Sequence, residues 1–170
     1  MRITVIGLPG SGKSTLAKNI AKKLSIRHIE IDRFWFESGG GKGADDTKNL
    51  EEVRLKVREK TAEAIKGDSW VSDGTYLNVQ DLITDRADVI LFLDIPLLIR
   101  LLGHARRAFF VTTRRHAELS MWNEITFFPE IIRRNFSRKP KLLKFVSEHK
   151  DKVVRLRSYR EMDEYLRRLY

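Results

Sequence analysis

Hydrophobic and polar positions along this 170-residue chain follow two periods. Residues 2 to 6 make a short buried-strand pattern, a glycine-rich turn follows, and "STLAKNIAKKL" sets Leu16, Ile20 and Leu24 at helical spacing. The opening is therefore strand, loop, helix. "RHIEI", residues 27 to 31, reads as a second strand that ends at Asp32, and a loop-like "ESGGGKGADD" precedes a helix from about 47 to 66 with Val53, Val57, Thr61 and Ile65 facing inward. "SWVSDG" is a third short strand stopped at Asp73-Gly74. "DVILFLD", residues 88 to 94, is an unbroken apolar run of the kind covered on both faces, which predicts a central strand. After Pro96 the pattern predicts helical segments at about 96 to 110, 120 to 136 and 140 to 148, then a last strand in "KVVRLR" and a last helix in "REMDEYLRRL".

Strands alternating with helices predict an α/β fold in three layers, with about five parallel strands and helices on both faces of the sheet. No internal repeat or interdomain linker interrupts the pattern, so residues 1 to 170 are expected to form one domain. Only the stretch from Ser38 to Gly43 is of low complexity.

Hydrophobic residues make up 42% and charged residues 33%, which excludes a disordered chain. There is no cysteine, hence no disulfide, zinc-thiolate site or thiol nucleophile. No run approaches the roughly 18 apolar residues of a membrane span, and the apolar start is too short for a signal peptide. The expected location is the cytoplasm.

The net charge of +10 is unevenly placed. Residues 1 to 99 carry 15 basic and 15 acidic side chains, whereas 100 to 141 carry ten against three and 142 to 170 eight against five. Any surface that faces a polyanion is therefore C-terminal.

"GLPGSGKST", Gly7 to Thr15, matches G-x-x-x-x-G-K-S/T, the Walker A or P-loop pattern, at every fixed position and between a strand and a helix. Glycines let the backbone N–H groups curl toward phosphate oxygens, and the helix N-terminus adds positive partial charge. The expected nucleotide-binding residues are Gly7, Pro9, Gly10, Ser11, Gly12, Lys13, Ser14 and Thr15. Lys13 would hold the β and γ phosphates of ATP, and the Ser14 hydroxyl would ligate Mg²⁺. This makes the fold a P-loop NTPase fold.

The nearest match to the guanine-reading N/T-K-x-D pattern, Thr47-Lys48-Asn49-Leu50, lacks the carboxylate, which argues against a GTPase switch. Length argues against a helicase or AAA-type motor. Asp73 and Asp94 both follow apolar strands where a carboxylate could serve Mg²⁺, with Asp73 preferred. Asp32 at a strand's carboxyl end suits a general base toward an acceptor hydroxyl, or equally a helix N-cap or a partner of Arg33. Phe34, Trp35 and Phe36 beside it could supply one or two pocket walls. Among the later arginines, Arg106, Arg107, Arg133 and Arg134 are the candidates to meet the transferred phosphate from a helical lid at about 104 to 136, ahead of Arg114 and Arg115 at its tip. His28, His104, His116 and His149 form no metal-ligand pair and are assigned no chemistry.

With the cradle, "EID", "WVSDGTY", "VILFLDIP" and the arginine-bearing helices in place, the chain resembles the adenylate-kinase-like small P-loop kinases, and among them the topology modulation protein group. The resemblance runs nearly the full length, to "DKVVRLRSYREMDEYL", and implies that Arg155 to Tyr159 form a loop packing on adenine. It also sets Asp73-Gly74 on the Asp-Gly of the "DGFPR" signature, with Thr75-Tyr76 where Phe-Pro-Arg would follow, which argues against AMP as acceptor. The expected activity is Mg²⁺-ATP-dependent phosphoryl transfer to a small acceptor such as a nucleotide or nucleoside. The alternative is a nucleic-acid binder or polynucleotide 5′-hydroxyl kinase that uses the basic C-terminal half.

Overall fold

The computed structural model describes residues 1–41, 47–111 and 128–169, without the side chains of 77, 104, 106–111, 128 and 130. Five strands, β1 (Arg2–Gly7), β2 (Arg27–Glu30), β3 (Trp70–Asp73), β4 (Val89–Leu93) and β5 (Val153–Leu156), form one parallel sheet in the order β2-β3-β1-β4-β5. Seven helices are described: α1 (Lys13–Leu24), α2 (Ile31–Glu37), α3 (Leu50–Ala64), α4 (Leu77–Arg86), α5 (Leu97–Val111), α6 (Phe128–Glu148) and α7 (Tyr159–Arg168).

Strand alternation divides the core into two sides. Ile3 and Val5 of β1, with Leu91 and Leu93 of β4, pack on Leu16, Ala17 and Ile20 of α1 and Met162 of α7. The other side is built in two parts, around Ile6, Ile90, Phe92 and Leu142 of α6 and around Trp35, Val57, Trp70 and Ile83 of α2, α3, β3 and α4. The middle strand is β1, because the apolar run of β4 lies one place over, between β1 and β5. The chain moves outward from β1 in both directions, so the crevice at the carboxyl end of β1 is where an open parallel sheet takes a ligand.

Several sequence expectations shift. β2 ends at Glu30, and Asp32 stands in the first turn of α2 rather than at a strand terminus. Ile31 and Trp35, four apart, are both buried against the α3–α4 cluster, which is what turns this short stretch into a helix. The helix α4 was not expected, although Val79 and Ile83 carry its inward face. The two segments expected around Pro140 are one helix: Pro140 sits inside α6, where it removes one backbone hydrogen bond, while Ile131 and Leu142, both buried, anchor the helix on either side of it. The lid tip, with Arg114 and Arg115, lies outside the described residues.

Candidate active site

The turn after β1 is shaped by its glycines and by what packs on it. Gly12 caps α1 at φ 91°, a left-handed conformation that glycine alone adopts without strain, and a Cβ there would press to 3.3 Å of Met162. No acidic residue occupies the first turn of α1, so its free N–H groups and positive end face the crevice uncompensated. Within the turn, Ser11 N–H donates to Leu8 O at 3.2 Å and Lys13 Nζ to the same carbonyl at 3.3 Å. Burial pushes the Lys13 ammonium down, with the charges of Arg100 and Arg134 adding to the shift and those of Asp32 and Asp73 opposing it. A desolvated cation resting on a loop carbonyl beside an uncapped helix end is suited to an anion.

On the α1 side of the sheet, β2–β3 pairing places Glu30 opposite Asp73, and His28 two residues earlier shares that face. Asp73 is 4% exposed. Its carboxylate accepts a hydrogen bond from His28 Nε2 at 2.9 Å and another from the Ser14 hydroxyl, while His28 Nδ1 lies 3.7 Å from Glu30. Burial would raise the Asp73 carboxyl, but those hydrogen bonds and the charge of Lys13 outweigh it and hold it below 3.8. Among the described residues no group of three His, Cys, Asp or Glu side chains could hold a metal. One carboxylate and one hydroxyl beside a phosphate cradle suit Mg²⁺, which is bound through few protein ligands plus phosphate oxygens.

Gly74 fixes the next step of the chain. It has φ 123°, and a Cβ would come within 2.9 Å of Ile31, so α2 can approach only here. Thr75 then ties this strand end to the cradle, its hydroxyl donating to Gly7 O at 3.2 Å and accepting from Gly7 N–H at 3.3 Å. The Tyr76 hydroxyl hydrogen-bonds Asp32. Burial, then the charge and hydrogen bond of Asp32, push the Tyr76 hydroxyl well above its ordinary value, while Arg134 and Arg138 pull the other way.

The cradle, Asp32, Thr75 and Tyr76 line one cleft of about 960 Å³. The cradle forms one wall; Asp32, Trp35 and Tyr76 form a second; Arg134, Arg138 and Lys141 of α6 close a third at helical i, i+4, i+7 spacing. Trp35 and Tyr76 pack together with ring centroids 5.5 Å apart. From α3, Arg58 reaches over as a fork on Asp81 at 2.9 and 2.6 Å. A smaller cavity of about 280 Å³ on the other flank of the cradle is lined by Thr15, Asn19, Gly103, Tyr159 and Met162.

The structure thus brings Lys13, Ser14, Asp32, Asp73 and Arg134 to one place. Arg133 is exposed on α6 and outside the cleft lining. Arg106 and Arg107 lie on α5, but their side chains are outside the described residues. Asp94 is engaged by Lys139 at 3.3 Å and by Arg155, the latter a residue of β5, so the loop expected at Arg155 to Tyr159 shrinks to Arg157 and Ser158. Of the three aromatics after Asp32, Trp35 lines the cleft and Phe36 is exposed. Sequence reasoning missed His28, Tyr76 and Arg138. The alternation of His28 with Glu30 on a strand was a signal for the first; the other two gave none without the packing of α2 and α6.

The family model described as AAA domain matches residues 6–102, more than half of the chain, and the chain belongs to that family. That description names a domain and not a reaction, and the curated relatives that the chain matches carry kinase names. A shikimate kinase from Sulfurihydrogenibium is 32% identical over 102 residues, covering 56% of this chain and 61% of that protein. A cytidylate kinase from Haloarcula marismortui is 31% identical over 91 residues, covering 54% and 41%. The chain spans between 41% and 61% of the length of the curated relatives it matches. Among solved structures, a shikimate kinase from Bacteroides thetaiotaomicron shares the fold across 99% of this chain and 96% of its own, with a TM-score of 0.63 at 18% identity. No helix among the described residues is long and apolar enough to cross a membrane.

Proposed function

We propose that this chain is a Mg²⁺-ATP-dependent phosphotransferase whose acceptor, a small hydroxyl- or phosphate-bearing molecule such as a nucleotide or nucleoside, binds in the cleft between α2 and α6. One observation carries the reading: Lys13 and Ser14 of the cradle, Asp32 and Tyr76 of the second wall, and Arg134 of α6 line one and the same cleft. A cation from α6 therefore faces the same space as the cradle and Asp32, where charge on a transferred phosphoryl group would develop.

In this reading the turn and the N-terminus of α1 bind the triphosphate, with Lys13 on its outer phosphates. Ser14 and Asp73 would hold Mg²⁺, which when bound neutralises charge on the phosphate oxygens. His28 keeps the Asp73 carboxylate aimed at that position. Asp32, held by the Tyr76 hydroxyl, accepts the proton of an acceptor hydroxyl as the new bond to phosphorus forms. Arg134 and Arg138 face the reacting group and displace water from it.

The kinase names of the aligned relatives support a phosphotransferase and leave its acceptor open. The topology modulation protein group is the resemblance proposed within the family, on the residues that carry it. Arg134, Arg138 and Lys141 of α6 line the cleft, which favours a small anionic or polar acceptor over a nucleic-acid track.

The test is calorimetric binding of ATP to wild type and Lys13→Ala, followed by a phosphoryl-transfer screen over nucleosides, nucleoside monophosphates, small alcohols and 5′-hydroxyl oligonucleotides. Wild type binds ATP, Lys13→Ala does not, and one small-acceptor class is phosphorylated. Retained binding and turnover in Lys13→Ala would sink the proposal, and transfer confined to oligonucleotides would replace it.

A further inference from the structure

Arg100, in the first turn of α5, is 1% exposed. Its guanidinium is nonetheless bonded, among the described residues, only to uncharged oxygens. Nε donates to Ile95 O at 3.1 Å, Nη1 to Pro9 O at 3.1 Å, and Nη2 to the Asn135 side-chain oxygen on α6. A buried cation whose partners are all neutral is costly. Burial lowers its pKa, opposed by the charge of Asp94, a carboxylate already engaged by Arg155 and Lys139. Among the described residues no carboxylate bonds the guanidinium directly, and its partner Pro9 belongs to the turn read as the anion site.

We infer that Arg100 is a positioning residue that ties the phosphate-binding turn to α6, so that a polyphosphate in the turn fixes the arginine face of that helix over the cleft. The inference rests on the reading of the turn as a nucleotide site. At one end, the Pro9–Gly10 peptide is planar, so a hydrogen bond to Pro9 O also sets the direction of the Gly10 N–H. At the other end, Asn135 stands between Arg134 and Arg138 in sequence, and holding its side chain on a buried guanidinium restricts the rotation of α6. Rotation of that helix decides whether Arg134 and Arg138 line the cleft. A triphosphate at the turn would bring negative charge near the buried Arg100 guanidinium, which attracts it more strongly than a solvated cation would, and so favour the joined arrangement. Lysine cannot substitute, because one ammonium lacks the fork that spans two carbonyls and an amide.

Hydrogen exchange on the full chain, with and without Mg²⁺-ATP, tests this in wild type, Arg100→Lys, Asn135→Ala and Asn135→Asp. In wild type, ATP protects both the turn and the α6 segment 131 to 138. Asn135→Ala keeps the protection of the turn and loses at least about half of the ATP-dependent protection of α6. Asn135→Asp gives the guanidinium a carboxylate, so α6 is protected before ATP is added and the further gain with ATP shrinks. Arg100→Lys weakens ATP binding by about tenfold or more, the scale of one charged hydrogen bond. If ATP protects α6 in Asn135→Ala as fully as in wild type, the inference falls while the nucleotide reading stands. If wild type binds no ATP, both fall. Should Arg100→Lys fail to fold, the two variants at Asn135, a half-buried position, still decide.

Discussion

The two strands flanking β1 lead to aspartates of similar sequence setting and opposite surroundings. Asp73 closes β3 and Asp94 follows β4, each after an apolar run and each at the carboxyl edge of the sheet. Asp94 is met by two cations, Arg155 from β5 and Lys139 from α6, and its backbone N–H donates to Leu156 O at 2.8 Å. Its charge is matched, and it fastens the last strand and α6 to the sheet. Asp73 meets an imidazole and a hydroxyl, with Lys13 near enough to be felt. Among the described residues its charge is oriented but not neutralised by a direct ion pair with Lys or Arg, and it lies against Ser14 in the first turn of α1. What a carboxylate at a strand end does therefore depends on which neighbouring strands and helices deliver cations to it. Neither residue's local sequence contains that information.

The comparison breaks most visibly in catalysis. Asp73→Asn lowers kcat/KM for phosphoryl transfer by about 10²- to 10³-fold, the usual scale for removing one charge-stabilising group, whereas Asp94→Asn changes it by less than about threefold. Steady-state kinetics on the acceptor found by screening reads this, and equal losses in the two variants would erase the distinction. Next in size is His28→Gln, which raises the Mg²⁺ concentration for half-maximal rate about 10- to 100-fold, as loss of a carboxylate-orienting partner does. A variant that titrates with Mg²⁺ as wild type does would reduce His28 to packing.

Stability inverts the order of the two aspartates. Asp94→Asn lowers Tm by about 2–4 °C, corresponding to roughly 1 kcal/mol after allowing for the partial exposure of Arg155 and Lys139. Differential scanning calorimetry measures it, and no shift would mean that the pair holds nothing. The smallest effect is a pH dependence. Burial would raise the Asp94 carboxyl, but the hydrogen bond from Arg155 and the charges of Lys139 and Arg155 hold it below 3.8. A carboxyl lowered by folding contributes its full stabilisation above the ordinary value and loses it as pH falls through the lower native one. Urea midpoints of wild type and Asp94→Asn should therefore converge between about pH 5 and about pH 2. A gap that stays constant would refute the ion-pair assignment.

Much of this site was legible because its signals are local. The turn Gly7 to Ser14 declares itself through the left-handed and close-approach positions that only glycine fills, and Asp73-Gly74 through a strand stopped by a residue that lets α2 pass at Ile31. The α2 and α6 walls of the cleft were less legible. "IDRFWFE" is too short to nucleate a helix alone, and it becomes α2 because Ile31 and Trp35 find Val53, Val57 and Val79 from segments far along the chain. Pro140 reads locally as a break, yet α6 continues through it because burial at Ile131 and Leu142 outweighs one lost hydrogen bond. His28 looked idle because its partner is 45 residues away.

By itself the sequence determined the parallel α/β scaffold, the anion cradle and the identity of Lys13 and Ser14 within it, since backbone conformation and helix polarity are set by neighbours within a few residues. Tertiary structure alone decided that, among the described residues, Asp94 and not Asp73 is paired directly with Lys and Arg, that Tyr76 hydrogen-bonds Asp32, and that Arg134 rather than Arg133 lines the cleft. Those outcomes depend on charges and hydrogen bonds between segments tens of residues apart, and electrostatic partnership is a property of distance in space.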